Sequence, residues 1–306
     1  MQRICFVSPF GYAVLDGSKD IGFVGGAEVQ QVLIASQLAR RGHQVSMISL
    51  DFGQPEGLHK SGVRVFKMMA PRAGVPGLRF FHPWFTSLWD AMRRADAEVY
   101  YQRCAGAMTG AVAALASRLR RGSVFAGASD SDFDPLLPRV RLLRDRIMFK
   151  YGVRRVDQVV VQSERQRAMC RSAFGREAVR ISSCYDFKGA PARHDGPIIW
   201  VGNVRTVKRP DLFVEVAKRL PEHRFVLIGG TNDGSVDFGA LGRQAQDVAN
   251  LTLTGHLPVA DVESHFDGAS VLVNTSATEG FPNTFLQAWS RGMPTVSFFD
   301  SGAREK

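Results

Sequence analysis

One stretch of the sequence decides the fold. It reads Thr275-Ser-Ala-Thr-Glu-Gly-Phe-Pro-Asn-Thr-Phe-Leu-Gln-Ala-Trp-Ser-Arg-Gly-Met-Pro-Thr-Val-Ser297. It follows the apolar run 269–274, which predicts a buried parallel strand. Asn283 or Thr284 is placed to cap the helix that comes next, and a second strand begins at Thr295. Strand, loop, helix and strand in this order indicate the parallel sheet of an α/β protein.

The loop between this strand and this helix carries candidate binding groups. Glu279 follows the carboxyl end of the strand, where open α/β sheets bind ligands. The first N–H groups of the helix favour an anion such as a phosphate at the same place. Gln287 lies about two turns along the helix and can face the same ligand. These groups suit a ligand with hydroxyls and phosphates; a surface acid in a turn and an ordinary helix glutamine are the alternative.

Two cations follow an earlier strand. Arg205 and Lys208 lie on the loop between the apolar run 198–201, which ends at Gly202, and a helix that begins near Pro210. Arginine can donate two parallel hydrogen bonds to phosphate oxygens, and lysine supplies a localised positive charge. Together the two side chains can bind a diphosphate. Two solvated loop cations are the alternative.

Paired glycines precede the first long helix. The strand 3–7 leads into a loop that ends at Gly25 and Gly26. Glycines here let the backbone approach a ligand at a helix N-terminus, although a tight turn explains them equally well. The Gly-x-Gly-x-x-Gly pattern of dinucleotide-binding proteins is missing.

Length and composition bound the class of protein. A chain of 306 residues predicts two domains, at 1–190 and 191–306, joined by the Pro/Gly-rich linker 188–197. No run is long and apolar enough to span a bilayer, and the N-terminus lacks the anatomy of a signal peptide. Four scattered cysteines suggest neither a disulfide framework nor a metal site, which fits a cytoplasmic protein.

The charge is concentrated in the first half. Residues 1–196 hold 29 Lys and Arg against 17 Asp and Glu, and residues 197–306 hold 10 against 12. This imbalance predicts an anionic partner, either a membrane surface, a nucleic acid or a phosphorylated acceptor, unless it reflects solvated Arg-rich faces. Residues 136–155 predict a basic amphipathic helix, which suits a membrane surface or a core helix with an Arg-rich outer face. No nucleic-acid reading module is recognisable, so nucleic acid is not expected as a partner.

The alternating positions of Asp130, Asp132 and Asp134 resemble the first three ligand positions of a calcium-binding loop. That loop also requires a glycine and a glutamate, where this chain has Pro135 and Arg141. A polar loop or a helix cap is therefore the preferred interpretation, and no metal site is expected.

The stretch around Glu279 resembles the acid-x7-acid motif of the retaining family 4 glycosyltransferases, which have the GT-B fold. Glu279 matches the first acid, and Gln287 stands at the position of the second. Gly25 and Gly26 resemble the family's glycine loop. Lys208 matches its diphosphate-binding lysine.

The resemblance implies two Rossmann-like domains that face each other across a cleft, the second apparently truncated at its C-terminus. It implies that Lys208, with Arg205 in place of the family's arginine, stabilises the departing diphosphate. It also implies that Glu279 contacts the donor sugar and Gln287 the ribose. The further donor-binding positions are Gly25, Gly26, Gly202, Gly280, Phe281, Pro282 and Asn283. Arg103 stands where many members carry a histidine, and is expected to contact donor phosphate or acceptor.

The function that the resemblance implies is transfer of a hexose-like sugar from a nucleotide-diphosphate sugar to an acceptor hydroxyl, with retention of configuration. The acceptor is a glycan, a lipid-linked molecule or a small molecule, and no cofactor is expected. The protein is expected in the cytoplasm, with peripheral contact to an anionic inner-membrane face. The main alternative is a nucleotide-sugar-binding protein with little or no transferase activity, because the C-terminal segment is missing. An epimerase on the same scaffold is a third hypothesis.

Overall fold

The computed structural model describes residues 1–17, 25–186, 195–231, 237–277 and 279–298. The chain divides into two compact units, Met1–Ser183 and Cys184–Lys306. The predicted domain boundary after residue 190 and most of the predicted linker lie outside the described residues. None of the helices in the described ranges is long and apolar enough to cross a membrane.

The first unit is built on an eight-stranded sheet of order β3-β4-β2-β1-β5-β6-β7-β8. All neighbouring strands are parallel except β3 and β4. The strands are β1 (Arg3–Val7), β2 (Gln44–Ser49), β3 (His59–Lys60), β4 (Val63–Lys67), β5 (Val99–Arg103), β6 (Gly122–Ala126), β7 (Gln158–Val161) and β8 (Val179–Arg180).

Helices connect these strands. They are α1 (Gly11–Asp16), α2 (Gly26–Arg40), α3 (Thr86–Ala95), α4 (Ala107–Leu119), α5 (Leu143–Arg155) and α6 (Glu164–Phe174). The crossover helices lie on both faces of a sheet of parallel strands. The side chains on both sides of each strand are therefore buried and apolar. Accordingly, central strand residues such as Cys5, Met47 and Phe125 are fully buried.

The order of the strands reverses beside β1. The chain runs from β1 towards β2 and β4 on one side, and β5, β6, β7 and β8 continue on the other. In open parallel sheets the crevice outside the carboxyl ends of the strands at such a reversal is the usual ligand site. In the first unit this place lies at the ends of β1 and β5.

Two helices approach each other through glycines. A Cβ added at Gly110 of α4 would lie 2.3 Å from the backbone oxygen of Met148, and one at Gly152 of α5 would lie 2.6 Å from the nitrogen of Gly110. The absence of side chains at these two positions therefore sets the distance between α4 and α5.

The predicted helix 136–155 is shorter than expected. Only Leu143–Arg155 is helical, and residues 136–142 form turns and irregular structure. Pro138 explains the difference, because it disfavours helical backbone at the preceding residue. That residue, Leu137, has a φ of 48°.

The second unit has a five-stranded parallel sheet of order β11-β10-β9-β12-β13. Its strands are β9 (Ile198–Val201), β10 (Phe225–Ile228), β11 (Leu251–Gly255), β12 (Val271–Asn274) and β13 (Thr295–Ser297). Its helices are α7 (Pro210–Arg219), α8 (Phe238–Ala245), α9 (Val259–Asp267) and α10 (Asn283–Trp289). Here the strand order reverses between β9 and β12, which places the expected ligand crevice at their carboxyl ends.

Candidate functional site

The loops that follow β9 and β12 are tied together. Thr275 accepts a hydrogen bond from the indole Nε1 of Trp200 (3.0 Å) and donates one to the carbonyl oxygen of Lys208 (2.8 Å). The backbone nitrogen of Ala277 donates to the carbonyl oxygen of Val207 (2.8 Å). These bonds fix the two loops against each other at the reversal of the sheet.

Lys208 and Glu279 lie in direct contact across these loops. The Lys208 Nζ donates to Oε1 of Glu279, which also accepts a hydrogen bond from the Ser276 hydroxyl (2.8 Å). The Glu279 side chain is only 12% exposed and that of Lys208 is 24% exposed. The structure thus brings together the two residues that the sequence singled out for chemistry. A partly buried cation and carboxylate interact more strongly with ligand charges than solvated ones do.

Arg205 shares the loop with Lys208. It precedes the short helical turn Thr206–Lys208, and its carbonyl oxygen accepts a hydrogen bond from the Lys208 backbone nitrogen (2.9 Å). The side chain is half-buried. The backbone of Arg205 therefore lies beside that of Lys208, and the part of Arg205 in binding a diphosphate remains a prediction.

Close backbone approach explains the glycines at the ends of β9 and β10. The Gly202 nitrogen donates to the carbonyl oxygen of Ile228 (3.0 Å). Gly229 has a φ of 149°, and a Cβ there would lie 1.8 Å from the carbonyl oxygen of Gly202. A side chain at Gly229 would therefore push the β9 loop away from its position.

The start of α10 differs from the predicted cap. Pro282 occupies the cap position without a side-chain hydrogen bond, and Asn283 is the first helical residue, so the prediction of a cap at Asn283 or Thr284 is wrong. The fixed φ of proline suits the entry to a helix, which explains why the helix begins here. The side chains of Phe281 and Pro282 are buried, and the Phe281 ring packs on Trp289, 5.9 Å between centroids. These side chains therefore shape the loop that carries Glu279 and Gly280.

Gln287 is held by a carboxylate that the sequence analysis missed. Its Nε2 donates to Oε1 of Glu263 on α9 (2.8 Å). Glu263 also accepts hydrogen bonds from the Tyr185 hydroxyl (2.6 Å to Oε2) and from Nη2 of Arg291 (2.8 Å). Arg291 also contacts Asp267 (2.7 Å) and is buried. Glu263 and Asp267 lie four apart on α9. Gln287 on α10 and Arg291, two residues after the end of that helix, are also four apart, and this spacing was the available signal.

Burial and these partners shift two pKa values in the cluster. Burial and the hydrogen bond to Glu263 raise the pKa of Tyr185 to about 12. Burial alone would lower the pKa of Arg291, but its hydrogen bonds to Asp267, Tyr185 and Glu263 raise it. The neutral phenol and the charged guanidinium are therefore the stable forms, and they fix the orientation of Glu263 towards Gln287.

In the first unit, the start of α2 is capped by its own acid. The Gly25 nitrogen donates to Oε2 of Glu28 (3.1 Å), and a Cβ at Gly25 would lie 2.7 Å from the same oxygen. Gly25 thus makes room for the Glu28 carboxylate at the N-terminus of the helix. Contact of Gly25 and Gly26 with a donor phosphate stays a prediction.

Two of the three alternating aspartates, Asp132 and Asp134, serve the local backbone. Asp132 accepts hydrogen bonds from the nitrogens of Ala128 (2.7 Å) and Ser129 (3.3 Å) at the turn Asp130–Asp132, and burial raises its pKa. Asp134 accepts from the nitrogen of Leu136 (2.8 Å). This arrangement supports the helix-cap interpretation. Across the described ranges, no group of three His, Cys, Asp or Glu side chains is arranged to hold a metal ion.

Two family models match the chain. The model described as "Glycosyl transferase 4-like domain" matches residues 25–182, more than half of the chain. The model described as "Glycosyl transferases group 1" matches residues 196–306. A comparison with curated protein sequences finds no match.

Solved structures with a similar fold are glycosyltransferases. Sucrose-phosphate synthase from Thermosynechococcus elongatus has a TM-score of 0.75 at 19% identity, over 97% of this chain and 81% of that one. Anabaena HepE, solved with UDP and glucose, has a TM-score of 0.74 at 15% identity, over 100% and 83%. WaaG, a glycosyltransferase involved in lipopolysaccharide biosynthesis, has a TM-score of 0.66 at 14% identity, over 99% and 83%. At these identities the likeness is one of fold, and the two family models add the family. The chain therefore belongs to the group 1 glycosyl transferases and has the GT-B fold.

Proposed function

We propose that the protein transfers a sugar from a nucleotide-diphosphate sugar to an acceptor hydroxyl and retains the anomeric configuration. The contact between Lys208 and Glu279 carries this proposal. It places one cation and one carboxylate at the carboxyl ends of β9 and β12, where a parallel sheet binds its ligand. A donor needs both groups, because it combines an anionic diphosphate with neutral sugar hydroxyls. The HepE complex with UDP and glucose supports a uridine diphosphate sugar as the first donor to test.

The proposed reaction exchanges one bond at the sugar C1 carbon. The bond from C1 to the diphosphate oxygen breaks, and its electron pair stays on that oxygen. The acceptor oxygen bonds to C1 on the same face and its proton leaves to the diphosphate. Lys208 and Arg205 stabilise the charge that grows on the departing oxygen, which is the largest single contribution in many enzymes. Glu279 accepts hydrogen bonds from the sugar hydroxyls, and no metal ion or cofactor is required.

In this proposal Gln287 binds the ribose of the nucleotide-sugar donor. Its amide can accept and donate hydrogen bonds, so it can bind a diol while its Nε2 stays on Glu263. The amide lacks the charge of a carboxylate, and its bond to the ribose is expected to be correspondingly weaker. Glu263 holds the Gln287 side chain, and Tyr185 and Arg291 hold Glu263, so all three are positioning residues.

Replacement of one lysine tests the proposed chemistry. Lys208→Ala is expected to lower the rate of UDP release from UDP-sugars at least about 100-fold, because the departing charge loses its nearest cation. Lys218→Ala is the matched control, since Lys218 is exposed on α7 and pairs with the neighbouring Glu215 (3.0 Å). UDP release in the presence of a panel of glycan, lipid-linked and small-molecule acceptors is the measurement.

An unchanged rate in Lys208→Ala would contradict the proposed mechanism. Ligand-observed NMR against UDP-, GDP- and ADP-sugars separates binding from turnover in the same samples. A donor that binds without turnover at any acceptor would instead identify a nucleotide-sugar-binding protein.

We also propose that the first unit contacts an anionic lipid bilayer through α5. The helix buries Phe149 and Val153, yet its opposite side exposes Leu143 (72%), Ile147 (59%) and Tyr151 (46%) at intervals of four residues. A helix that is apolar on its outer stripe as well as its inner face needs a second apolar environment. The exposed cations on and beside this helix are Arg139, Arg141, Arg144, Lys150, Arg154 and Arg155.

A neighbouring aromatic segment extends this apolar surface. The Arg144 guanidinium lies 3.7 Å from the centroid of the Phe80 ring, and Val75, Leu78 and Phe81 of the same segment are exposed. The surface combines apolar side chains with an excess of cations, which suits the interface of an anionic membrane. The same positive charge would make two copies of this surface repel each other.

Vesicle sedimentation tests the membrane contact. The protein is expected to pellet with vesicles that contain anionic phosphatidylglycerol and to stay in solution with phosphatidylcholine alone. The double change Leu143→Ser and Ile147→Ser is expected to reduce pelleting at least about 10-fold, because each side chain contributes about 1 kcal/mol or more of apolar burial. Leu220→Ser, an exposed leucine of the second unit, is the control. Equal pelleting with both lipids, or no effect of the double change, would contradict the proposal.

A further inference from the structure

Lys208 and Glu279 neutralise each other in the structure. The Lys208 Nζ donates to Oε1 of Glu279, and the two side chains are only 24% and 12% exposed. The Ser276 hydroxyl donates to the same oxygen (2.8 Å). Oε1 of Glu279 is therefore shared between a cation and a neutral hydroxyl. An ion pair that is partly withdrawn from water is stronger than one on the surface, so this pair opposes any ligand that separates it.

The backbone around this pair is fixed independently of it. The Thr275 hydroxyl donates to the carbonyl oxygen of Lys208 (2.8 Å), and the Ser276 nitrogen donates to Oδ1 of Asn274 (2.9 Å). Thr275 and Ser276 are each only 1% exposed. Lys208 and Glu279 can therefore separate by movement of their side-chain ends alone, while the Ser276 hydroxyl keeps its place.

A diphosphate competes with Glu279 for the Lys208 ammonium. Two oxygens that accept hydrogen bonds from one nitrogen lie within about 6 Å of each other. A carboxylate and a diphosphate at this distance repel each other, and a partly buried site screens the repulsion less than water does. A diphosphate therefore binds Lys208 most favourably when Glu279 has moved away from the ammonium. The free energy of the ion pair then lowers the affinity for the diphosphate.

We propose that Glu279 is a counter-ion that the donor diphosphate displaces from Lys208, and that Ser276 is the positioning residue that holds the displaced carboxylate. This exchange rests on the function proposed above. The sugar hydroxyls of an intact donor replace the hydrogen bond that Glu279 loses, because they donate to the carboxylate. A nucleoside diphosphate carries no sugar at this position, so there the lost ion pair is not compensated. The exchange therefore favours the intact donor over the nucleoside diphosphate that remains after transfer.

Titration calorimetry with inorganic pyrophosphate tests the exchange without assuming a nucleotide. Glu279→Gln removes the counter-ion but keeps the shape of the side chain, and its affinity for pyrophosphate is expected to be at least about 5-fold higher than that of the wild type. Adding Lys208→Ala is expected to abolish this gain. Glu215→Gln is the matched control, because Glu215 contacts Lys218 (3.0 Å) at the surface of α7. This control is expected to leave the affinity unchanged at physiological salt, which screens distant charges.

Ser276→Ala tests the positioning residue. In the wild-type background this change is expected to weaken pyrophosphate binding about 3-fold, because the displaced carboxylate loses its hydrogen bond to the hydroxyl. In the Glu279→Gln background the effect is expected to be smaller, since hydrogen bonds to a neutral amide are weaker. A purely structural effect would be the same in both backgrounds, so equal effects would overturn the assignment of Ser276. Unchanged or tighter binding by Ser276→Ala alone would overturn it even if Glu279→Gln did not fold.

A ratio of two affinities tests the preference for the intact donor. The ratio compares the Kd of UDP with the Kd of the UDP-sugar that binds most tightly in the NMR panel. Glu279→Gln is expected to lower this ratio about 10-fold, because UDP gains the lysine while the UDP-sugar loses a carboxylate at its hydroxyls. A charge change that acts from a distance affects both ligands alike and cancels in the ratio. An unchanged ratio would contradict the proposed preference.

Failure of the exchange and failure of the proposed function give different results. If nucleotide sugars bind and Glu279→Gln does not tighten pyrophosphate binding, the exchange is wrong and the proposed function stands. If no UDP-, GDP- or ADP-sugar binds but Glu279→Gln still tightens pyrophosphate binding through Lys208, the exchange stands and the proposed function is wrong. Absence of pyrophosphate binding in both the wild type and Glu279→Gln would overturn the exchange.

Discussion

At the scale of single residues, Glu263 links Tyr185 to two side chains about a hundred positions further along the sequence. It accepts hydrogen bonds from Tyr185, Gln287 and Arg291. A carboxylate with three donors has little freedom to rotate, so the Gln287 amide beside it is held in one orientation. The precision of the proposed ribose contact therefore depends on residues that do not themselves touch a donor.

Titration of Tyr185 is expected to weaken the folded state at high pH. Burial and Glu263 raise its pKa from 10.0 to about 12, so the folded protein holds the phenol proton more tightly than the unfolded chain. The resulting stability is present below about pH 10 and is lost as the pH rises towards about 12. The difference in free energy of unfolding between the wild type and Tyr185→Phe is expected to shrink by about 1 kcal/mol across this range. Urea denaturation at several pH values measures it, and a constant difference would contradict the assignment.

At the scale of helices and strands, a Gly→Ala substitution is expected to change the free energy of unfolding in opposite directions in two different helices. Gly110→Ala places a Cβ 2.3 Å from the backbone of Met148 and is expected to lower the free energy of unfolding by about 2 kcal/mol or more. Gly242 lies inside α8 with no atom within 4 Å of its Cβ position. Gly242→Ala is expected to raise the free energy of unfolding by about 0.5 kcal/mol, because alanine restricts the unfolded chain.

Chemical denaturation of the two alanine variants measures these changes. Similar effects of both changes would show that close contact between α4 and α5 is not the reason for glycine at position 110. The comparison is informative because both variants introduce one methyl group into a helix interior.

The elements themselves were largely predictable from sequence. β9 and β12 were recognisable because buried parallel strands are apolar runs, and α7 was recognisable because Pro210 suits the first turn of a helix. The helix 136–155 was predicted too long, since its apolar and basic pattern continues through Pro138 although the backbone there is not helical. The pattern of apolar and basic side chains indicates which face of a helix is buried. The backbone conformation allowed next to a proline decides where that helix starts.

At the scale of the whole molecule, each unit has its own sheet and its own buried side chains. The buried core of the first unit includes Tyr100 and Phe149. That of the second unit includes Phe213, Phe225 and Phe285. Separate cores of this kind allow the units to unfold in separate transitions.

Calorimetry tests this independence. Gly110→Ala is expected to lower the temperature of one unfolding transition by several degrees, and Gly242→Ala to raise that of the other slightly. A single transition that responds to both changes would show that the two units unfold as one body.

The sequence by itself determined the α/β class, the strands and helices around Glu279, and the selection of Lys208 and Glu279 as candidate groups, because apolar runs, glycines and prolines act locally. The tertiary structure alone decided which distant groups meet. Lys208 reaches Glu279 across 71 positions, and Tyr185 reaches Glu263 across 78. It also decided that Arg291 is buried against Glu263 and Asp267. The reason is physical: local patterns specify the face that a residue occupies, whereas the partner of a buried charge depends on how the strands and helices pack.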